Sequence, residues 1–223
     1  MLDFARIYDL AIQAVFWLVT LACNFLGYSA KWAQKGIKQS NLTTSVSVPP
    51  HIAVVVTEKD KVSSTHLVEM VEHCLREGVR QVVLYDPFNE IYADALRFKK
   101  FCLCHGVRLL IGSEEITPPG GVLTLQVLPS DAGKKNLVKT CKLLSSQTKK
   151  ITTEDISRVL NDEFCISDPN MLILVGNVPS LCGYPPYNLR LTEFVLVNSI
   201  PRSHQAFMNC ISAYNQRDIR AGK

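Results

Sequence analysis

The residues best suited to chemistry in this sequence stand near its carboxyl end, where Arg220 is followed two positions later by Gly222. An arginine presents a planar fork of N–H donors that fits two oxygens of a phosphate group. A glycine has no Cβ, so its backbone N–H can approach an anion closely. The pair would suit a diphosphate. A polar stretch after a last helix more commonly only frays, so these residues alone leave both readings open.

Motifs for the common catalytic and cofactor-binding chemistries do not occur in the sequence. It contains no G-x-G-x-x-G, no G-x-x-x-x-G-K-[ST], no G-x-S-x-G and no H-E-x-x-H. The 5 histidines are scattered, and the 8 cysteines form no C-x-x-C pair. We therefore expect reduced thiols and no metal site in this chain. The net charge of +4 is mild and no aromatic-plus-basic cluster occurs, so nucleic acid is not an expected partner.

Apolar runs that alternate with amphipathic stretches predict the elements that position such residues. The β-branched run at 52–56 is typical of a strand buried on both faces. Strands separated by helices predict an α/β fold with a central, mostly parallel, six-stranded sheet flanked by helices. The predicted strands are 52–56, 81–85, 107–111, 122–128, 171–175 and 193–197, and the predicted helices are 64–77, 86–105, 131–145, 153–161 and 205–214.

The first part of the sequence contains a segment that is apolar on all sides. Residues 10–28 carry no charge, and at about 1.5 Å per residue they nearly cross a hydrocarbon core. We predict one N-terminal transmembrane helix there, after a flank at 1–9 and before a polar linker at 29–50. Two alternatives stay open. One is a cleaved signal peptide, although the flank is not net positive, and the other is a buried core helix.

The charges around this segment predict its orientation. Lys31, Lys35 and Lys38 follow the apolar run, and the next acidic residue is Glu58. By the positive-inside rule, the globular part faces the cytosol. The glycosylation sequon at Asn41 would then stay unmodified, and a glycan on it would overturn this topology.

Two stretches of the sequence resemble the Nogo-B receptor family. One runs from Asp168-Pro-Asn-Met-Leu-Ile-Leu-Val-Gly through Leu181-Cys-Gly-Tyr-Pro-Pro-Tyr-Asn-Leu-Arg-Leu-Thr-Glu-Phe, and the other is the Arg-x-Gly-Lys that begins at Arg220. The order of anchor, linker and one α/β domain beginning at Pro-Pro-His51-Ile-Ala is also similar. The resemblance covers nearly the whole chain. It implies a cis-prenyltransferase-like domain at 51–215, followed by a tail at 216–223.

The same resemblance implies that this chain has no catalytic residues of its own. In catalytic members of the cis-prenyltransferase superfamily, the first strand leads into Asp-Gly-Asn-Arg-Arg, whose aspartate handles Mg²⁺ and the allylic diphosphate. Here Thr57 stands at the aspartate position and Glu58 at the glycine position, while Leu174 stands where catalytic members present an arginine. Threonine does not supply the carboxylate that Mg²⁺ prefers. The resemblance therefore implies that Mg²⁺ is held by a catalytic partner.

The resemblance also implies a role in trans for Arg220 and Gly222. The Arg220 side chain and the Gly222 N–H would bind the diphosphate of isopentenyl diphosphate in the active site of the partner, dehydrodolichyl diphosphate synthase. The pair would elongate farnesyl diphosphate in cis at the endoplasmic reticulum membrane, producing the polyprenyl diphosphate precursor of dolichol for protein glycosylation. We expect a partner-facing apolar surface that includes Phe194, Phe207 and Tyr214.

A second hypothesis belongs to a different class of function. The chain could instead be a membrane receptor or scaffold that binds a protein or lipid ligand and has no part in an active site. The terminal Arg-x-Gly would then be dispensable, and the domain could lie outside the cytosol.

Overall fold

The computed structural model describes residues 47–117, 121–146 and 150–216. By its internal contacts the chain divides into two units, Met1–Ser45 and Val46–Lys223. The predicted transmembrane helix at 10–28 and the terminal segment 217–223 lie outside the described residues. Among the residues that are described, no helix is both long and apolar enough to cross a bilayer.

Seven strands of the described residues form one sheet in the order β4-β3-β5-β2-β1-β6-β7. All neighbouring strands are parallel except β3 and β4. The central strands are rich in valine, isoleucine and leucine, as expected of strands covered on both faces. The strands are β1 His51–Val56, β2 Gln81–Tyr85, β3 Arg108–Ile111, β4 Glu114–Glu115, β5 Thr124–Val127, β6 Met171–Val175 and β7 Glu193–Val197.

Two of the helices that connect these strands begin at capping side chains. Ser63 caps the first, and its side chain accepts from the His66 N–H. Thr152 and Asp155 form a reciprocal capping box at the start of the fifth. The α-helices of the described residues are α1 Ser64–Arg76, α2 Glu90–Ala93, α3 Arg97–His105, α4 Lys134–Ser145, α5 Thr153–Glu163 and α6 His204–Asn215.

Apolar residues on the two faces of the sheet form two separate clusters. Alternate residues of a strand point to opposite faces, so Ile52, Val54 and Val56 join the larger cluster with residues of α1, α3 and α6. Ala53 and Val55 join the smaller one on the other face, which contains Tyr85 and Tyr184. The described chain therefore has the α/β architecture that the sequence predicts.

Two details of the prediction are wrong. The sheet has seven strands rather than six, because Glu114–Glu115 pairs antiparallel with β3, where Arg108 binds Glu115 through two hydrogen bonds of 2.9 and 3.1 Å. The predicted helix 86–105 is two helices. The Ala95 N–H bonds to Tyr92 and the Arg97 N–H bonds to Asp94, and this i to i+3 spacing interrupts the α-helical ladder between α2 and α3.

Candidate functional site

The carboxyl ends of β2, β1 and β6 meet at one edge of the sheet because these neighbouring strands are parallel. In open parallel sheets, ligands bind in the crevice outside this edge. The residues that follow the three strands are Asp86 after β2, Thr57 and Glu58 after β1, and Gly176 after β6. This edge contains the positions that the resemblance identifies as catalytic in related enzymes.

Hydrogen bonds join the carboxyl ends of β1 and β6. The Thr57 N–H and hydroxyl both donate to the Val175 carbonyl, at 2.9 and 3.1 Å. A Cβ added to Gly176 would lie 2.1 Å from the Thr57 Oγ1, and Gly176 has a φ of +137°. Glycine is therefore needed for this close approach, and the Thr57 hydroxyl hydrogen is already used.

The Glu58 carboxylate is engaged by its surroundings as well. It accepts a hydrogen bond from the Asn177 backbone N–H, and the Lys61 Nζ lies 3.1 Å from its other oxygen. The Asn177 N–H, followed by Lys61, holds the pKa of Glu58 below its ordinary value. With this acid occupied and a threonine before it, the residues at the end of β1 do not fit a Mg²⁺ ion.

Asp86, the acid at the end of β2, acts in local structure. Its side chain is buried, and its two oxygens accept from the backbone N–H groups of Phe88, Glu90 and Ile91 at 2.8, 3.1 and 2.8 Å. Glu90 and Ile91 carry unpaired donors at the start of α2 and Phe88 lies just before it, so Asp86 stabilises the beginning of that helix. Glu90 also forms an ion pair of 2.7 Å with Lys59, which links α2 to the segment after β1.

A cavity of about 450 Å³ opens beside these strand ends. Its walls come from the end of β2, the start of α4 and the loop after β6, and the lining residues are Tyr85, Pro87, Ser130, Lys134, Lys135, Val138, Cys182 and Gly183. The Tyr85 hydroxyl lies 3.1 Å from the Cys182 carbonyl and 3.3 Å from the Ser130 carbonyl. Burial raises the pKa of Tyr85 to about 12, so its hydroxyl remains a donor to these carbonyls.

No motif in the sequence predicts this cavity. A local signal for it exists in two glycines, Gly183 on its wall and Gly133 just before α4. A Cβ on Gly133 would lie 1.6 Å from the Gly183 carbonyl oxygen, so the start of α4 approaches the loop as closely as backbone allows. The adjacent Lys134 N–H donates to the same carbonyl at 3.1 Å. The Leu181-Cys-Gly-Tyr segment that carries part of the resemblance thus forms one wall of the cavity.

The two residues predicted to bind a diphosphate, Arg220 and Gly222, lie outside the described residues. The described chain ends just after α6, where the Asn215 side chain holds the segment before β1. It accepts from the Ser47 N–H at 3.1 Å and donates to the Ser47 carbonyl at 2.9 Å. The role of Arg220 and Gly222 stays a prediction.

The expected partner-facing surface is corrected at one position. Phe207 is fully buried and packs in the larger core cluster, so it is not available to a partner. Phe194 and Tyr214 are only half-buried. Leu191 and Leu196 are more exposed, at 63% and 55%, on or beside the edge strand β7. A groove of about 820 Å³ follows this strand and the facing side of α6.

Comparison with known proteins identifies two relatives by sequence. No family model matches the chain. It is 24% identical over 198 residues to the human dehydrodolichyl diphosphate synthase complex subunit NUS1, which covers 79% of this chain and 67% of the relative. It is also 24% identical over 200 residues to the mouse protein of that name, covering 79% and 66%. The chain thus spans about two thirds of the length of these curated relatives.

Solved structures share the fold. Lavandulyl diphosphate synthase from Lavandula x intermedia, in complex with dimethylallyl diphosphate, matches with a TM-score of 0.61 and 13% identity, over 77% of this chain and 97% of that one. A probable undecaprenyl diphosphate synthase from Campylobacter jejuni matches with a TM-score of 0.55 and 15% identity, over 79% and 100%. These two structures show that the chain has the fold of those diphosphate synthases, and by sequence it is similar to the two complex subunits named above.

Proposed function

We propose that this chain is a non-catalytic but required subunit of a heteromeric cis-prenyltransferase. Its partner is a catalytic subunit of the dehydrodolichyl diphosphate synthase type. Together they elongate farnesyl diphosphate with isopentenyl diphosphate in cis, forming the polyprenyl diphosphate precursor of dolichol for protein glycosylation. The names of the two sequence relatives, both subunits of such a complex, support this proposal.

The observation that carries the proposal is that the side chains at the carboxyl end of β1 are already engaged in hydrogen bonds and an ion pair. A cis-prenyltransferase that works alone needs an aspartate there, free to hold Mg²⁺ beside the allylic diphosphate. This chain instead has a Thr57 hydroxyl bonded to Val175 and a Glu58 carboxylate bonded to Asn177 and Lys61. The fold is retained while the acid is absent or occupied, which supports a subunit whose chemistry takes place in its partner.

Arg220 and Gly222 are the residues through which we propose that this chain acts. Condensation requires the diphosphate of isopentenyl diphosphate to be held still and its charge to be balanced. Positioning and electrostatic stabilisation supply most of such catalysis. A guanidinium that docks in a partner's pocket loses water and binds the diphosphate more strongly than one in bulk solvent. Mg²⁺ belongs to the partner in this proposal.

We further propose that the complex lies on the endoplasmic reticulum membrane. The uncharged segment 10–28 would anchor this chain, and the lysines that follow it favour a cytosolic domain. The active site of the complex would then face the cytosol.

Reconstitution with a catalytic subunit tests the proposal. The full-length chain and the catalytic subunit are purified singly and together, and incorporation of labelled isopentenyl diphosphate is measured with farnesyl diphosphate as primer. We expect no product from this chain alone and long polyprenyl diphosphate from the pair. Product from the isolated chain would overturn the non-catalytic role. A failure to co-purify, or a partner whose activity is unchanged by this chain, would favour the receptor hypothesis.

A further inference from the structure

The outward side of α4 is unlike that of an ordinary surface helix. α4 buries the polar side chains of Asn136 and Thr140, at 5% and 1% exposure, together with Leu144. Yet it leaves Val138 and Leu143 exposed, at 47% and 53%. A surface helix normally turns its apolar stripe inward. Here part of that stripe faces outward, which indicates that something covers it in the working protein.

Four lysines share this outward side, and α4 contains no acidic residue. Lys134, Lys135, Lys139 and Lys142 are all exposed. Lys139 is neutralised by α5, because its Nζ lies 2.8 and 2.9 Å from the two carboxylate oxygens of Glu163. Within the described part of the chain the other three form no ion pair. We call Lys134, Lys135, Val138, Lys142 and Leu143 the lysine face.

The members of the lysine face lie close to one another on the helix. Positions 135, 138 and 142 are separated by three and four residues, which places them on one side of the helix. At about 1.5 Å per residue, the 12 residues of α4 extend roughly 18 Å. Lys135 and Val138 also line the cavity beside Tyr85, so the face continues into a concave region at its amino-terminal end.

We propose that the lysine face is a docking surface for an anionic lipid bilayer. Clusters of lysine near a membrane bind acidic headgroups, and exposed apolar side chains among them enter the headgroup region. A length of roughly 18 Å is too short to span the hydrocarbon core, so α4 would lie along the surface. The surface is independent of the predicted anchor at 10–28, because it lies wholly within α4.

Other occupants fit the lysine face less well. The centres of protein–protein interfaces are depleted in lysine, whereas here lysines stand between the two apolar residues. Single-stranded nucleic acid is bound through aromatic side chains stacked on bases, and α4 contains no aromatic residue. An anionic bilayer needs only positive charge and shallow apolar contact, and α4 supplies both.

The test uses native thiols in the full-length chain. A fluorophore on Cys141, which is exposed on α4, reports contact with brominated lipids by quenching. The matched control carries the dye on Cys104, which is exposed on α3. In each chain Cys165, Cys182 and whichever of Cys104 and Cys141 is unlabelled are changed to serine, as is Cys23 in the predicted anchor. Both chains are reconstituted in vesicles of neutral phosphatidylcholine, with or without phosphatidylserine.

We expect phosphatidylserine to increase quenching at Cys141 and to leave Cys104 unchanged. Lys134→Gln with Lys135→Gln and Lys142→Gln should lower the docked-to-undocked ratio on the order of 100-fold, since each lysine near an anionic surface contributes roughly fivefold. The matched variant, Lys99→Gln with Lys100→Gln on α3, should have no effect. Salt at about 1 M should release Cys141, because the Debye length falls to about 3 Å.

Several outcomes would overturn the proposal. Quenching at Cys141 that is equal in neutral and anionic vesicles, or that survives the triple substitution, would show that the lysines do not hold a bilayer. Protection of Cys141 by the catalytic subunit in neutral vesicles would identify a protein as the occupant. The proposed function is tested separately by isopentenyl transfer in detergent, where no bilayer is present, so failure of one proposal does not imply failure of the other.

Discussion

Two charged regions of this molecule differ in how their charges are satisfied. At the carboxyl ends of β1 and β2, Glu58 and Asp86 are each bound by backbone N–H groups, and Glu58 also by a lysine. On α4, three exposed lysines form no ion pair within the described residues. The first region has the location of an active site but the bonding of a structural joint. The second has no motif, yet its charges are available to a ligand.

This contrast shows why position in a fold does not by itself assign function. The crevice beside the strand ends is where related folds bind ligands. Here the acidic residues Glu58 and Asp86 bind backbone N–H groups. Positive charge that has no acidic partner among the described residues lies on α4, and further positive charge lies, by prediction, at Arg220. This distribution of charge is the one expected of a subunit whose partner carries out the catalytic steps.

The largest effect is expected at the joint between β1 and β6. Gly176→Ala places a Cβ 2.1 Å from the Thr57 Oγ1 and imposes a φ of +137° on a residue that disfavours it. We expect a loss of about 2–4 kcal/mol in the free energy of unfolding, measured by chemical denaturation. Gly78→Ala is the control, because its φ is also positive, at +80°, but nothing lies within 4 Å. Equal losses would mean that backbone strain alone, and not the closed joint, requires glycine at 176.

A smaller effect is expected from the acid at the end of β2. Asp86→Ala leaves the Phe88, Glu90 and Ile91 N–H groups without their acceptor, which should cost about 2–3 kcal/mol. Asp86→Asn keeps one oxygen and should cost less. Asp94→Asn, at a partly exposed ion pair with Arg97, is the control, with a loss below about 1 kcal/mol. An Asp86→Ala chain as stable as the wild type would show that this carboxylate is not structural.

The effect of His51 is absent at neutral pH and appears only in acid. Burial lowers the pKa of His51 from 6.5 to about 4, and the Asp168 carbonyl, 3.1 Å from its Nδ1, opposes this only in part. Below pH 6.5 the unfolded chain binds a proton that the folded chain does not. The free energy of unfolding therefore falls as the pH drops from 6.5 towards 4, and His51 causes no loss above pH 6.5.

The His51→Asn variant isolates this contribution. It keeps a side-chain donor near Asp168 but does not titrate, so its unfolding free energy should decline less steeply than that of the wild type across the same pH window. Parallel curves for the two proteins would contradict a buried, neutral His51.

The fold was largely predictable because its signals are local. The bounds of β2, β6 and β7 match the predicted runs, and α1 lies within the predicted helix 64–77, with Leu67, Met70 and Cys74 buried at helical spacing. β4 was not predictable, since two exposed glutamates carry no periodicity, and the Arg108 side chain that binds Glu115 does not stand opposite it in the strand register. The break between α2 and α3 was hidden because Ile91 and Phe98 keep helical spacing across it and are both buried.

The site was less predictable, because long-range contacts decide it. Thr57 and Glu58 could be identified as departures from a catalytic pattern. Their binding partners, Val175 and Asn177, stand more than a hundred positions away in the sequence, so no local pattern reveals these contacts. The burial of Phe207 has the same origin, since periodicity marks an apolar residue but does not distinguish the core from a partner surface.

Turnover of the reconstituted complex with Arg220→Ala tests the central claim most directly. Arg217→Ala, three residues earlier in the same tail, is the matched control for loss of charge. We expect Arg220→Ala to lower the rate of isopentenyl transfer by more than about tenfold, with assembly intact, and Arg217→Ala to leave it near the wild-type rate. Full turnover from an assembled Arg220→Ala complex would contradict the account.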